Sequence, residues 1–329
     1  MMEQPALNST SGIRILRLIN AQKVTLIGVI IVIFAFFTMF APNFLTAQNL
    51  MYVILKVSTI IIVATAATLL MITGNFDLSV GSVVAFTGIM FAFMAKYGFP
   101  IYLSGLLAIL FGMLFGLING IVVAKFKVTP VIATLGTMYV ARGFAFLFAR
   151  WAGGASISSG LPKDFSSFGR TMVGPFPLMV IIMIIIVAIG IFIERKTAVG
   201  RFIFAMGSNP DAAKVSGINV TGIIAALYVL IGALAGLVGV FQTSRIGMAS
   251  PQNFSGFEFD VLIALILGGT SLKGGEGSIS GMVLGALIVG IVGNGLNLMG
   301  VSSYYQLVFN GSILVIAVLM YQSLEKKMQ

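Results

Sequence analysis

The 329-residue sequence contains no cysteine, no histidine and very little charge. The first two absences exclude disulfides, thiol nucleophiles and histidine proton relays, and they remove the usual ligands of zinc. Charged residues make up 9% of the chain, whereas a soluble domain of this length carries about 25%. With 59% hydrophobic residues and a mean hydropathy of +1.10, the sequence predicts a membrane protein and not a water-soluble fold.

Apolar runs close to the roughly 20 residues that cross a bilayer recur along the whole chain. They predict an all-α polytopic membrane protein with ten transmembrane helices in a single domain, residues 1–329. Glycines within these runs, such as Gly112, Gly116 and Gly232, predict close packing between helices, because small residues let backbones approach in lipid. The predicted spans are Val24–Ala41, Val53–Ile72, Gly81–Ala95, Ile101–Ala124, Val131–Ala149, Phe176–Ile193, Thr221–Gln242, Phe259–Gly268, Ile279–Met299 and Tyr304–Leu324.

The net charge of +10 has a simple interpretation in a membrane chain, where lysine and arginine set orientation. When the N-terminus is placed in the cytoplasm, twelve lysines and arginines fall on cytoplasmic segments and seven elsewhere. This asymmetry follows the positive-inside rule. It predicts a multi-pass membrane protein with both termini in the cytoplasm, and it predicts no nucleic-acid partner.

The longest charged stretch, Glu194–Val220, is too polar to span a bilayer, and the charge count places it in the cytoplasm. A short helix is predicted within it. Asn209 is a good N-cap, Pro210 suits the first helical position, and Asp211 favours the positive end of the helix dipole. Gly217 fits the stop. A helix of about seven residues is unstable alone, so we expect it to pack on the spans or on a partner; a solvated loop is the alternative.

No ATP-binding motif occurs in the sequence. The glycine-rich stretch Gly268–Gly277 contains Lys273, but it lacks the spacing and the following hydroxyl of a phosphate-binding loop, and we interpret it as a tight turn. No clustered nucleophile, base or metal-ligand set is present either. The sequence therefore predicts neither an enzyme nor a cofactor site, and energy for any transport must come from another chain or from an ion gradient.

Few ionisable residues lie at membrane depth. Arg142 falls within the fifth predicted span, where an unpaired arginine is costly and must find a carboxylate or carbonyl groups. Glu258 and Asp260 map to the same outer half of the membrane. We predict a structural ion pair between Arg142 and one of these two carboxylates.

Three further polar residues are candidates for structural or functional roles. Asp77 lies in the Gly/Asp break Gly74–Val80, where it suits either a cap for the following helix or a contact at a gate. Asn294 and Asn297 lie in the ninth span. They are expected to face the bundle interior, either bonding between helices or lining a pathway.

Four segments of the chain carry recognisable motifs. They are GNFDLSVGS at Gly74–Ser82, ATLGTMYVARG at Ala133–Gly143, GRFIFAMGSNPDAAKVSGINV at Gly200–Val220, and the glycine-rich stretch Ile266–Val308. These segments resemble the membrane subunits of ribose-type ABC importers, within the branched-chain amino acid/sugar permease superfamily, and the similarity covers nearly the whole chain in the same order. Departures occur where this chain has Asn75 and Phe76 before the aspartate, Gly293 in place of a usual asparagine, and Asn310 in place of a common lysine.

The resemblance implies a fold similar to the ten-helix permease of vitamin B12 importers. It also implies a second permease copy, an ATPase subunit with two fused nucleotide-binding domains, and an extracytoplasmic sugar-binding protein. Sugar import would proceed by alternating access. A related permease for another pentose, a hexose, inositol, autoinducer-2 or a branched-chain amino acid is an alternative, as is an ATPase-independent carrier.

Site residues follow from the same resemblance. The loops that join spans two to three and four to five narrow the cytoplasmic end in that fold. An ATPase-coupling helix is implied for Asn209, Pro210, Asp211, Ala212, Ala213, Lys214, Val215, Ser216 and Gly217. Gate or pathway positions are implied for Asn75, Asp77, Leu78, Ser79, Thr129, Pro130 and Thr134, to which Asn294 and Asn297 are added as candidates.

Overall fold

Backbone polar groups in a bilayer have no water to bond, so apolar segments form helices that satisfy these groups internally. The computed structural model describes residues 9–302, 304–309, 311–312 and 315. The helices are α1 (Ser9–Phe40), α2 (Ala47–Ile72), α3 (Val80–Lys96), α4 (Ile101–Gly120), α5 (Pro130–Trp151), α6 (Phe165–Gly169), α7 (Leu178–Lys196), α8 (Ala198–Ser208), α9 (Pro210–Val215), α10 (Val220–Ile246), α11 (Phe257–Leu267) and α12 (Ile279–Leu298).

Seven helices in the described part of the chain are long and apolar enough to cross a membrane: α1, α2, α4, α5, α7, α10 and α12. Of the ten predicted spans, the third and the eighth correspond to α3 and α11. With 17 and 11 residues these two are shorter than the others. The predicted tenth span, Tyr304–Leu324, lies largely outside the described residues. The structure is thus that of an all-α polytopic membrane protein, and the number ten stays a prediction.

The centre of the bundle is formed by α3, whose side chains are almost all buried, and by α2, which is buried throughout from Val57 to Ile72. Helices α7, α10, α11 and α12 pack around α2, and α3 packs against α4, α5 and α10. By contrast, few side chains of α5 and α7 are fully buried, as expected for surfaces that face lipid or another chain.

Helices α4 and α10 make the closest backbone approach along their length. A Cβ added at Gly112 would overlap the carbonyl oxygen of Gly232, and one added at Gly232 would overlap that of Gly112. A Cβ at Gly116 would likewise overlap the carbonyl of Tyr228. The close packing predicted from these glycines is confirmed.

The segment after α5, predicted as a long loop, contains α6 and a small antiparallel hairpin of β1 (Met172–Val173) and β2 (Phe176–Pro177). Gly174 turns the hairpin with φ +60°. Phe165 of α6 stacks on Phe91 of α3, with ring centroids 4.8 Å apart. The loop is therefore packed onto one end of the bundle.

Candidate functional site

The short helix predicted in the polar segment is present as α9, Pro210–Val215. Asn209 caps it by accepting a hydrogen bond from the amide of Ala212 at 3.0 Å, and Gly217 follows it with φ +81°. The predicted ends are confirmed to within one residue. Ala213 is buried, whereas the side chain of Val215 is 89% exposed, so α9 presents an apolar residue that nothing in the described chain covers.

A second helix, α8, precedes α9 and is missing from the sequence-based prediction. Its N-cap is Thr197, whose hydroxyl accepts a hydrogen bond from the amide of Gly200 at 3.2 Å. Ile203 and Met206 are buried, whereas Arg201 and Ser208 are exposed, so α8 is amphipathic. Two features of the sequence could have predicted α8, namely the threonine at its N-cap and the helical spacing of its apolar residues.

The break between α2 and α3 is organised by Asp77. Its Oδ1 accepts hydrogen bonds from the amide of Ser79 at 2.7 Å and from the Ser79 hydroxyl at 2.6 Å. Helix α3 then begins at Val80, one residue before the predicted third span, and Leu78 is partly buried. Asp77 thus stabilises the turn that leads into α3, as an aspartate at a helix start commonly does.

A buried asparagine connects this break to two neighbouring helices. Asn119, near the end of α4, donates from Nδ2 to Ser79 Oγ at 3.0 Å and to Asp77 Oδ2 at 3.3 Å. Its Oδ1 accepts a hydrogen bond from the Thr137 hydroxyl of α5 at 2.7 Å. We call Asp77, Ser79, Asn119 and Thr137 the break network. Asn119 and Thr137 are absent from the sequence-based candidates, although an asparagine in an apolar span is a detectable signal.

Helix α10 holds the same break through Tyr228. This side chain is fully buried, and its hydroxyl donates to the carbonyl oxygen of Phe76 at 3.0 Å. Asn75 bonds locally, from Nδ2 to the carbonyl of Thr73 at 3.2 Å and to its hydroxyl at 3.0 Å. The irregular backbone is therefore satisfied by side chains from surrounding helices, as backbone away from water must be.

The second predicted gate segment follows a π-helical turn, Ile121–Lys125, that ends α4. Lys127 then adopts left-handed backbone at φ +60°, which is uncommon for a residue with a long side chain. Thr129 is the exposed N-cap residue of α5, and Pro130 takes its first position. The buried hydroxyl of Thr134 bonds the Pro130 carbonyl of its own helix at 2.7 Å, so Thr137, and not Thr134, reaches the break network.

The two asparagines of α12 have different surroundings. Asn294 is buried and forms a reciprocal amide pair with Asn49 of α2, with N···O distances of 2.9 and 3.1 Å. It therefore bonds between helices, the first of its two predicted roles. Asn297 is exposed, and its Oδ1 accepts a hydrogen bond from Gln306 at 2.8 Å.

The partners of Arg142 correct the predicted ion pair. Its guanidinium donates to the carbonyl oxygens of Pro251 and Asn253, the latter at 2.9 Å, and to Ser82 Oγ at 3.1 Å. Glu258 attracts Arg142 electrostatically, but the described residues show no direct ion pair between the two. Carbonyl groups offered by an irregular loop satisfy the planar donor set of arginine, and a carboxylate is not needed.

Asp260 lies in the electrostatic field of Lys56 from α2 and in that of Glu258. Gly293 of α12 leaves space for the Lys56 side chain, because a Cβ at position 293 would lie 2.6 Å from Lys56 Nζ. This is a physical reason for glycine at this position. Glu258 acts on both Arg142 and Asp260, so the two carboxylates link Arg142 and Lys56 electrostatically.

Membrane-length helices, an interrupted helix pair and a buried polar network around the interruption define the class of this protein. Irregular backbone between membrane helices is tolerated where protein buries it or where it lines a path, and this is the architecture of membrane transport proteins. The chain belongs to the family described as branched-chain amino acid transport system / permease component, whose profile matches residues 49–318.

Named relatives cover nearly the full chain. This chain is 38% identical over 315 residues to the ribose import permease protein RbsC of Haemophilus influenzae, and the match covers 95% of this chain and 96% of the relative. It is also 38% identical to RbsC of Bacillus subtilis, with 85% and 86% covered, and 34% identical to the fructose import permease protein FrcC of Rhizobium meliloti, with 93% and 87% covered. No solved structure matches. The resemblance to sugar importer permeases is confirmed.

Proposed function

We propose that this chain is the membrane subunit of an ATP-binding-cassette importer that moves a small ribose-like sugar into the cytoplasm. The observation that carries the proposal is the match over 95% of the chain to a relative named as a ribose import permease. The chain itself does no covalent chemistry. ATP would be hydrolysed on a partner with two fused nucleotide-binding domains, and a sugar-binding protein would deliver the solute from outside.

The segment α8–α9 supports an ATPase-docking role. It is the longest polar stretch between spans, α9 is capped at both ends, and the apolar side chain of Val215 is 89% exposed at its tip. A groove on a partner would cover that residue, as amphipathic helices are generally received in apolar grooves. The proposed assembly contains two permease copies, each with ten spans arranged as in vitamin B12 importers, in the inner membrane with both termini in the cytoplasm.

In the proposed mechanism the two gate segments, residues 75–79 and 127–134, open and close together. Asn119 supports this, because its side chain contacts the first segment directly and reaches the helix that continues the second through Thr137. Closure of the ATPase domains would move α8–α9, and the gate segments would then exchange access between the two sides of the membrane. A population shift of this kind needs each state to bind a partner differently.

Docking is tested with Val215→Asp, using the permease coexpressed with its ATPase. Burying an unpaired carboxylate costs more than the ~1.4 kcal/mol that corresponds to tenfold in affinity, so copurified ATPase should fall by at least about tenfold. The matched control is Val173→Asp in the β1–β2 hairpin of the opposite loop, which should leave copurification intact. Equal copurification of the two variants would remove α9 from the docking site.

Substrate class is tested in proteoliposomes that contain the permease, the ATPase and the binding protein. Uptake of labelled ribose should require ATP and all three components, and unlabelled ribose should compete better than fructose, galactose, inositol or leucine. Uptake by the permease alone would establish an ATPase-independent carrier instead. The family description also names branched-chain amino acids, so leucine that competes better than ribose would identify an amino acid permease.

A further inference from the structure

The stretch between α11 and α12, residues 268–277, is more than the tight turn that its glycines predict. We call it the glycine loop. The amide of Gly275 donates a hydrogen bond to the carbonyl oxygen of Ile72, the last residue of α2, at 2.8 Å. A Cβ at Gly274 would lie 2.7 Å from the amide nitrogen of Gly74 and 2.9 Å from that same Ile72 carbonyl. The loop therefore lies directly against the backbone that enters the α2–α3 break.

Helix α8 also contacts the hydrogen bond between Gly275 and Ile72. A Cβ added at Gly207 would overlap both the carbonyl oxygen of Ile72 and the amide nitrogen of Gly275. Next to it, a Cβ at Gly275 would lie 3.1 Å from Ser208 Oγ. The bare Cα of Gly207 thus rests on the hydrogen bond that joins the glycine loop to α2. Three segments distant in sequence meet there through their backbones.

The surroundings of this junction leave little freedom for α8 to move independently. A Cβ at Gly200 would overlap the carbonyl oxygens of Ile193 and Glu194, so α8 folds tightly onto the end of α7. Glu194 Oε2 in turn accepts a hydrogen bond from the amide of Ile279 at 2.9 Å, at the start of α12. The end of α7, α8 and the beginning of α12 are therefore joined immediately beside the glycine loop.

Backbone contacts transmit displacement differently from side-chain contacts. A flexible side chain absorbs a shift by changing rotamer, whereas two backbones in van der Waals contact must move together or separate. At the junction of Gly207, Gly275 and Ile72 no side chain intervenes. A displacement of α8 is thus felt at the carboxyl end of α2, which leads within a few residues to Asp77 and the break network.

We propose that the glycine loop is the element that transmits movement from α8–α9 to the α2–α3 break, with Gly207 and Gly275 as its positioning residues. This inference rests on the proposed function, because it needs a partner that moves α9. It assigns a role to Gly268–Gly277 beyond a turn. It also predicts that α8 and the glycine loop move as one body throughout the transport cycle.

The first test is Gly207→Ala, with Gly136→Ala as matched control because a Cβ at Gly136 would meet nothing within 4 Å. ATPase copurification should persist in Gly207→Ala, since α9 is unchanged. Hydrolysis stimulated by the sugar-loaded binding protein, and transport, should fall by about fivefold or more, the lower end of usual coupling between sites. Stimulation and transport equal to those of Gly136→Ala would overturn the proposal.

The second test does not depend on how Gly207→Ala folds. The chain has no cysteine, so Ser208→Cys combined with Gly275→Cys offers a single disulfide, and a Cβ at 275 would lie 3.4 Å from the Ser208 Cα. The reduced protein is its own control. Oxidation should give the disulfide and leave transport within about twofold of the reduced protein. A cross-link abolishes coupling only if the two linked segments must separate during the cycle, and α8 and the glycine loop are proposed to move together. Transport that stops on oxidation and returns on reduction would overturn the proposal.

The two proposals fail in different ways. If ATPase copurification does not respond to Val215→Asp, docking at α9 is wrong, whatever the disulfide does. If copurification responds but Gly207→Ala transports normally, docking stands and transmission through the glycine loop is wrong.

Discussion

Asn119 is the residue on which the break network depends, since its single amide group contacts both Asp77–Ser79 and Thr137. The side chain is fully buried. Removing it leaves the Asp77 carboxylate with one fewer donor, and a buried polar group without its partner costs about 1–3 kcal/mol. We expect Asn119→Ala to lower the free energy of unfolding by that amount, measured by thermal unfolding of the purified protein in detergent.

The control for this prediction is Thr134→Val on α5. Thr134 is equally buried, but its hydroxyl bonds only the Pro130 carbonyl of its own helix, which the helix backbone also supplies with a donor. The loss of unfolding free energy in Thr134→Val should therefore be smaller than that in Asn119→Ala by at least about 1 kcal/mol, because no partner is left unsatisfied. Equal unfolding midpoints for the two variants would show that the network contributes nothing beyond ordinary helix packing.

Individual residues were predictable where the deciding interactions are local. The cap at Asn209, the stop at Gly217 and the turn at Asp77 involve neighbours within three residues, which the sequence displays directly. Arg142 is different, because its partners lie 109 and 111 residues away on a loop, and backbone carbonyls carry no sequence signature. The need for a partner was predictable, but its identity was not.

At the scale of elements, the contact between α4 and α10 is set by glycine. A Cβ at Gly232 would overlap the Gly112 carbonyl, so Gly232→Ala must force the two backbones apart. Overpacking of a close interface costs about 1–3 kcal/mol, and we expect a loss of thermal stability of that size. The measurement is again thermal unfolding in detergent. It compares Gly232→Ala on α10 with a glycine-to-alanine substitution on α5.

Gly143→Ala on α5 is the matched control, because a Cβ there would meet nothing within 4 Å. Alanine is favoured over glycine in a helix by about 1 kcal/mol, so this variant should be neutral or slightly stabilised. If Gly143→Ala destabilised the protein as much as Gly232→Ala, general sensitivity to alanine, and not the helix contact, would explain both results.

The elements that differ from the prediction do so for physical reasons. Helix α8 is short and amphipathic, so it produces no apolar run of membrane length. Helices α3 and α11, by contrast, match the third and eighth predicted spans to within two residues at each end, and with 17 and 11 residues they are shorter than the seven membrane-length helices.

At the scale of the whole molecule, apolar character does not indicate which helix is central. Helix α7 is the most apolar of the seven membrane-length helices and few of its side chains are fully buried, whereas α2 is less apolar and mostly buried. Lipid tails and a protein interior are similarly apolar, so hydropathy cannot separate the two surroundings. The class and the family were readable from composition and motifs, whereas the central position of α2 and α3 required the three-dimensional structure.

Orientation is the remaining whole-molecule prediction, and the absence of cysteine makes it directly measurable. The exposed residues Lys214 in α9 and Lys163 before α6 belong to segments that the charge count places on opposite sides of the membrane. In intact cells a membrane-impermeant maleimide should label Lys163→Cys, and it should label Lys214→Cys only after the membrane is permeabilised. Both thiols are expected to react in detergent, which controls for access. Labelling of Lys214→Cys in intact cells would reverse the orientation, and with it the proposal that α9 meets an ATPase, since ATP-hydrolysing partners work where ATP is present.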